Sequence, residues 1–464
     1  MKVALVWPPF DTMYTMPLPL GYLKSNLPAG EHDVRIFDCA LRSVDGSSSQ
    51  FRDFLREFNP DVVGVSSWSS MFRSVGTILA AVREFAPRAK TVLGGPHATV
   101  YFDRVIADHA VDYLFRGEVE LSFPLFLTEL EKSAPDFSSV KGLVWRKPGG
   151  EVAMNEMERV NDLDSIAPPD YDFMNLEGYL RQGYRLHCPE PRNAPILATR
   201  GCPYRCSFCT APMMNGKIIR KHSIPYLTAL IRQLYEEKGI RWFNLVDDNF
   251  TYDTAWAKEF CRAVIDMGLK GVGFGTPNGI RMQRGDKELW LLMKQAGWRS
   301  VVVAPESGSP RTLAAMHKDF DLETLPGVVR ELKEAGLYVQ AFFIIGYPGE
   351  TREDIQATFR VATETGFDFF YLNNFQPLPG TPVYNELVSN GEIVDGFLPA
   401  SYSDGIRNYT PAGLAKENFP LLILSTYLKW ALRRPRRLLD MLRFFNPKLL
   451  AKKLALNLFR VFVK

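Results

Sequence analysis

The chain has 464 residues, of which 46% are hydrophobic and 23% charged, with six cysteines and a formal net charge of +3. This balance excludes a disordered chain and a disulfide-built scaffold, and at ~150 residues per domain it suggests two or three domains. The charge is uneven: residues 429–464 hold eleven Lys and Arg against one acid, Asp440, while the other 428 residues hold 44 basic and 51 acidic side chains. No secretory h-region opens the sequence and no stretch approaches ~20 apolar residues, so a cytoplasmic protein is expected.

In chain order, short apolar segments at 3–6, 34–38, 62–66, 91–93 and 111–115 read as strands. Helical patterns at 19–27, 48–58, 75–85 and 121–131 alternate with them. Such alternation predicts a doubly wound, Rossmann-like parallel sheet covered on both faces, with ligands at the carboxyl ends of its strands. Residues 136–193 read as a linker, because turn clusters such as Lys147-Pro-Gly-Gly150 interrupt any periodicity. From residue 194 the alternation restarts, with strands at 196–199, 242–246, 271–275, 300–304, 339–345 and 369–375. Helices fall at 224–238, 254–267, 287–295, 322–335 and 352–365. Six β/α units predict a partial (β/α)6 barrel of the TIM type over 194–385, with chemistry on the loops after the strands. Residues 386–464 read as a helical, basic C-terminal region, after a first domain over 1–135.

The sequence Arg200-Gly-Cys-Pro-Tyr-Arg-Cys-Ser-Phe-Cys-Thr210 follows the first barrel strand and spaces Cys202, Cys206 and Cys209 as C-x3-C-x2-C. Three thiolates on one loop can hold a [4Fe–4S] cluster and leave one iron open for a bound molecule. A structural zinc site is the alternative; it needs a fourth ligand from Cys188, Cys261 or a His, none at a finger spacing. With Phe208 before the last cysteine, the motif resembles the radical S-adenosylmethionine (SAM) superfamily over roughly 195–385. The resemblance implies that the open iron chelates SAM and that a reduced cluster cleaves it to methionine and a 5′-deoxyadenosyl radical.

Other segments fit that resemblance in order. Leu245-Val-Asp-Asp-Asn-Phe-Thr251 stands where the family holds the SAM amino group, often with Gly-Gly-Glu; here Asp247 or Asp248 would serve. A helix N-cap at Asn249 or Asp253 is the plainer use of this stretch. Ala304-Pro-Glu-Ser-Gly-Ser309 is similar to a family segment in which Glu306 would bond the ribose, with Ser307 nearby. Phe343-Ile-Ile-Gly-Tyr-Pro-Gly-Glu-Thr351 is similar to one that packs backbone on adenine, for which Gly346 suits close approach. The first domain resembles the cobalamin (B12)-binding partner of such barrels. Val63-Gly-Val-Ser-Ser67 and Leu93-Gly-Gly-Pro-His-Ala-Thr99 carry the similarity, and it implies a slot lined by Ser66, Ser67, Gly94 and Gly95. Small residues also end many doubly wound strands. His97 would touch cobalamin or the substrate, or be satisfied within its own loop. The Asp-x-His-x-x-Gly loop that supplies an axial histidine is absent, since Thr12 and Met13 follow Asp11.

The combination resembles the class that includes cobalamin-dependent radical SAM methyltransferases and anaerobic Mg-protoporphyrin ester cyclases. It implies methylation of an unactivated carbon, with SAM, a [4Fe–4S] cluster and cobalamin as cofactors. A non-methylating oxidoreductase or cyclase, or a non-catalytic cobalamin- or lipid-binding sensor, is the alternative. An electron donor such as flavodoxin or ferredoxin is the implied protein partner. The tail mixes Leu, Phe and Trp with Lys and Arg from residue 421 on. It predicts peripheral contact with the inner face of the membrane and a hydrophobic small-molecule substrate, or else a helix over the barrel with its basic face in water. Nucleic acid is not expected as a partner.

Overall fold

The computed structural model describes residues 1–9, 15–107, 111–185, 188–398 and 409–433. The segment around Asp11 and the residues beyond 433 lie outside them. The chain divides into two compact units, the first built from Met1–Arg181, Phe208–Arg220 and the described residues from Pro377 to 398. The second holds Gln182–Ser207, Lys221–Gln376 and the described residues after 402.

In the first unit, β1 (Lys2–Trp7), β2 (Asp33–Asp38), β3 (Val62–Ser66), β4 (Lys90–Gly94) and β5 (Tyr113–Phe115) are parallel. The sheet continues through two antiparallel strands, β6 (Leu143–Arg146) and β7 (Val152–Met154), in the order β2-β1-β3-β4-β5-β6-β7. Side-chain alternation divides the core between the two faces: Ala4 and Val6 pack with Phe51, Leu55 and Ile78, while Val3, Leu5 and Trp7 pack with Phe123 and Phe126. The strands β6 and β7 fall within the segment expected to be a linker. Its Lys147–Gly150 cluster is a hairpin turn, closed by Lys147 N–H to the Glu151 carbonyl at 2.8 Å. Strands of four and three residues are too short to show periodicity.

In the second unit, β8 is Asn193–Ile196 and a two-residue strand, β9 (Thr199–Arg200), precedes the cysteine loop; β10 (Arg220–Lys221) follows it where the chain passes from the first unit back into the second. Then come β11 (Trp242–Leu245), β12 (Gly273–Gly275), β13 (Ser300–Glu306), β14 (Tyr338–Ile345) and β15 (Phe369–Asn374). They form two parallel three-stranded sheets, β12-β11-β8 and β13-β14-β15, joined among the described residues by the isolated bridges Phe274–Trp298 and Ile280–Val303. The half-barrel is thus split at its shortest strand. There the Trp242 ring lies 2.4 Å from where a Gly273 Cβ would stand, so only glycine lets the ring pack across.

The helix Phe419–Arg433 closes the open edge of β15, burying Phe419, Ile423, Thr426 and Trp430. The Tyr427 hydroxyl donates to the Phe370 carbonyl and accepts from the Leu372 N–H, both at 3.1 Å, satisfying edge-strand groups that would otherwise invite another strand. The described part of the tail is therefore a packed barrel element. Tyr427→Phe should cost about 1–2 kcal/mol by orphaning both bonds, measurable by denaturant titration; an unchanged midpoint would show that water replaces the hydroxyl.

Candidate functional site

The cysteine loop is irregular from Gly201 to Ser207, entered through Gly201 at φ 105°, a left-handed conformation that suits glycine. Two anchors fix it within the second unit. At its entrance the Asp247 carboxylate accepts from Ala198 N–H at 2.8 Å and from Thr199 N–H. Further on, buried Ser207 donates its N–H to the Met316 carbonyl at 3.0 Å, and its hydroxyl meets the Tyr347 hydroxyl at 2.7 Å.

The six thiols fall into two classes. Cys39, Cys188 and Cys261 are buried, and burial pushes Cys39 and Cys261 up to about 12. Cys202, Cys206 and Cys209 are all half-exposed, and the Ala211 N–H points at the Cys209 sulfur from 3.5 Å. Burial raises the Cys202 thiol, opposed by the Tyr204 N–H; Asp248 raises it and Lys318 lowers it. The zinc alternative loses its cysteine donors here, because Cys188 and Cys261 are core residues. Among the described residues no three His, Cys, Asp or Glu are gathered closely enough to hold a metal ion. The fit to an iron–sulfur cluster therefore lies in the donor set, three accessible thiols on one irregular loop, and loop closure commonly accompanies metal binding.

The remaining barrel candidates sit on loops after successive strands. Asp247 is buried and pinned, with its second carboxylate oxygen unpartnered; burial pushes it up to about 7 against those N–H donors. Asp248 is half-buried and near enough to Cys202 to perturb it. Asp253, not Asn249, caps the next helix, accepting from Trp256 N–H at 3.1 Å, while the buried Asn249 side-chain oxygen has no partner. Glu306 ends β13 at φ 69°, a conformation costing ~1–3 kcal/mol for a non-glycine residue, typical of functional positions. Its carboxylate is 3.1 Å from the Lys318 ammonium, both side chains being about nine-tenths buried. Ser307 is buried, with its hydroxyl on Thr358 and the Ser309 N–H. Gly346 faces Phe419, whose ring lies 3.3 Å from where a Cβ would stand, and Phe208 is half-buried beside Cys209.

Lys318 is the residue sequence reasoning missed, because it lies beyond an intervening helix, in no motif. Asn374, at the end of β15, was also illegible: it is buried with neither amide atom partnered.

Glu350 carries a pH signature. Burial pushes it up to about 7 although Gly346 and Tyr347 donate N–H bonds at 2.6 and 3.1 Å. Between its ordinary 4.5 and about 7 the folded chain holds this proton and the unfolded chain does not, so stability falls as pH rises through that window. Glu350→Gln should flatten the fall in melting temperature between pH 5 and 7; an unaltered slope would remove Glu350 as its cause.

At the strand ends of the first unit, Gly94 has nothing within 4 Å of its would-be Cβ, leaving open space. Gly95 has φ 96°, and a Cβ there would stand 2.8 Å from the Ser67 carbonyl and 3.2 Å from the Ser66 hydroxyl. Ser67 is committed internally, donating to the Gly94 carbonyl at 2.8 Å and accepting from Ala98 N–H at 3.2 Å. His97 is buried with Nδ1 3.0 Å from the Ser69 hydroxyl and its ring 4.2 Å from that of Phe72. Burial pushes it down to about 4, so it is neutral. Open space at Gly94 beside small side chains fits a bulky ligand's tail. The same unit contains a pair without a sequence signal: Arg220 bridges Glu118 with two bonds and also reaches the Val160 and Asn215 carbonyls at 2.6 and 2.7 Å.

Comparison with known proteins matches these features. The B12 binding domain model matches residues 12–127 and the radical SAM superfamily model residues 196–362. The chain is 29% identical over 442 residues to cytidylyl-2-hydroxyethylphosphonate methyltransferase of Streptomyces wedmorensis, covering 85% of this chain and 82% of that one. It is 28% identical over 401 residues to the anaerobic magnesium-protoporphyrin IX monomethyl ester cyclase of Cereibacter sphaeroides, covering 85% and 62%. In structure it resembles the radical SAM methyltransferase TsrM from Kitasatospora setae, with TM-score 0.70 and 20% identity over 85% of this chain and 77% of that one. That likeness shows the fold. With its thiol loop behind the first barrel strand, the chain carries a radical SAM domain preceded by a B12 binding domain, a pair whose cofactors are a [4Fe–4S] cluster, SAM and cobalamin.

Proposed function

We propose that this enzyme methylates an unactivated carbon of a small molecule. When bound, cobalamin supplies the methyl group, and SAM at the cluster supplies the radical that opens the substrate C–H bond. The observation that carries the reading is likeness over 85% of the chain, both domains included, to a methyltransferase. Cys202, Cys206 and Cys209 hold the cluster. Asp248 and Lys318, opposite charges that both act on Cys202, suit the ammonium and carboxylate of SAM. Asp247 positions the loop, and Glu306 holds Lys318 and faces the ribose. Ser66, Gly94 and Gly95 line the cobalamin slot, with Ser67 and His97 shaping it.

Methyl incorporation from isotopically labelled SAM tests the reading. A product lacking the label would favour the cyclase reading, which the cyclase relatives support. We further propose a hydrophobic substrate met at an anionic membrane surface. Support comes from exposed Leu421, Leu428 and Leu432 along one side of the last described helix, which the basic tail follows in sequence. Replacing all three by serine should reduce co-sedimentation with anionic vesicles; unchanged binding would reject the membrane contact. Among the described residues no helix is long and apolar enough to cross a membrane.

A further inference from the structure

We infer that the face of the second unit around Tyr204 is the docking surface for an acidic one-electron carrier protein. The inference rests on the cysteine loop being the cluster site. Tyr204 and Arg205 stand in that loop between Cys202 and Cys206, Tyr204 half-buried and Arg205 exposed. The Arg281 guanidinium lies 3.5 Å from the centroid of the Tyr204 ring. Arg284 Nε–H donates to the Tyr204 hydroxyl at 3.4 Å, and its guanidinium is 4.6 Å from the centroid of Tyr252. Tyr252 in turn meets Tyr204 edge-on at 6.0 Å.

Aromatic faces hold these guanidiniums without cancelling their charge. None of Arg205, Arg281 and Arg284 is ion-paired with a carboxylate among the described residues; Arg281 donates to the backbone carbonyl of Asp319. Neighbouring acids are already engaged: Asp253 by Lys221, Asp286 by Lys258, and Glu288 by Lys258 and Arg262. Asp319, whose backbone carbonyl takes the Arg281 bond, and Asp248, near Cys202, are acids close to the loop that form no ion pair with these three arginines. Three arginines outside any ion pair thus surround the part of the loop between two of the proposed cluster-binding cysteines, on a chain that is net acidic outside its last 36 residues. Such a patch steers an acidic partner into register and makes its association salt-dependent. The transfer is an outer-sphere step: the reduced carrier loses one electron, the bound cluster gains it, and no bond forms or breaks.

The test is binding of purified flavodoxin to the full, cluster-loaded chain at 50 and 300 mM NaCl, by a labelled-flavodoxin titration. Arg205→Glu with Arg284→Glu should weaken binding roughly tenfold or more at low salt and remove most of its salt dependence. SAM cleavage driven by dithionite should persist, while cleavage driven by reduced flavodoxin falls. The single Arg205→Glu, at an exposed side chain, guards against misfolding and should show a smaller change in the same direction. Equal flavodoxin affinity in all variants would overturn the docking surface. Wild-type chain that cleaves no SAM with dithionite would instead overturn the reading of the cysteine loop.

Discussion

Alanine at Cys202, Cys206 or Cys209 should lower iron content and reduce 5′-deoxyadenosine formation to background. On the proposed assignment each thiol supplies one of three cluster bonds, and the loop has no fourth cysteine to compensate. The discriminating controls are Cys39→Ala and Cys261→Ala. Both thiols are fully buried and hard to ionise, so these variants should keep their iron and their SAM cleavage while losing some stability. Iron per chain, with the cluster's electron paramagnetic resonance signal after reduction, reads the difference without a substrate. Iron retained in a triad variant, or lost equally in the controls, would refute the assignment.

Arg220→Met should be the most destabilising single change outside the hydrophobic core. It leaves Glu118 buried without its cation and orphans the Val160 and Asn215 carbonyls at once. Breaking a buried ion pair from one side typically costs ~3–5 kcal/mol, a fall in melting temperature on the order of 10 °C for a unit of this size. The segment 208–220 that carries Cys209 folds into the first unit, and Arg220 terminates it. Iron loading should therefore suffer along with stability. Replacing Glu118 and Arg220 together with Leu and Met should recover part of the loss, because no charge is then stranded. A melting temperature unchanged in Arg220→Met would mean that water reaches the pair.

Much of this was legible from residues alone, and for definite reasons. Apolar runs such as Val3 to Val6 and Val62 to Val65 are buried on both faces of a parallel sheet, so no polar alternation obscures them. The barrel strands and the C-x3-C-x2-C loop are equally local signals, since a loop that ligates a cluster carries its ligands on a few consecutive residues. Charge and composition also separated the basic tail from an acidic body.

Tertiary structure decided the rest. The hairpin β6–β7 hid in a turn-rich segment because strands this short show no period. Whether the last described helix packs or floats depended on Tyr427 meeting the bare edge of β15. The two aspartates, adjacent in sequence, were separated only by burial: Asp247 is pinned inside by two N–H donors, and Asp248 stays near the thiols. Lys318 pairs with Glu306 across an intervening helix, and Arg220 finds Glu118 from 102 residues away. Sequence by itself determined the elements and the spacing of the three-cysteine loop, because backbone hydrogen bonding, hydrophobic period and close residue spacing act over few residues. Which charged groups are buried, paired or left open to a ligand was decided by the fold, because desolvation and ion pairing depend on neighbours distant in the chain.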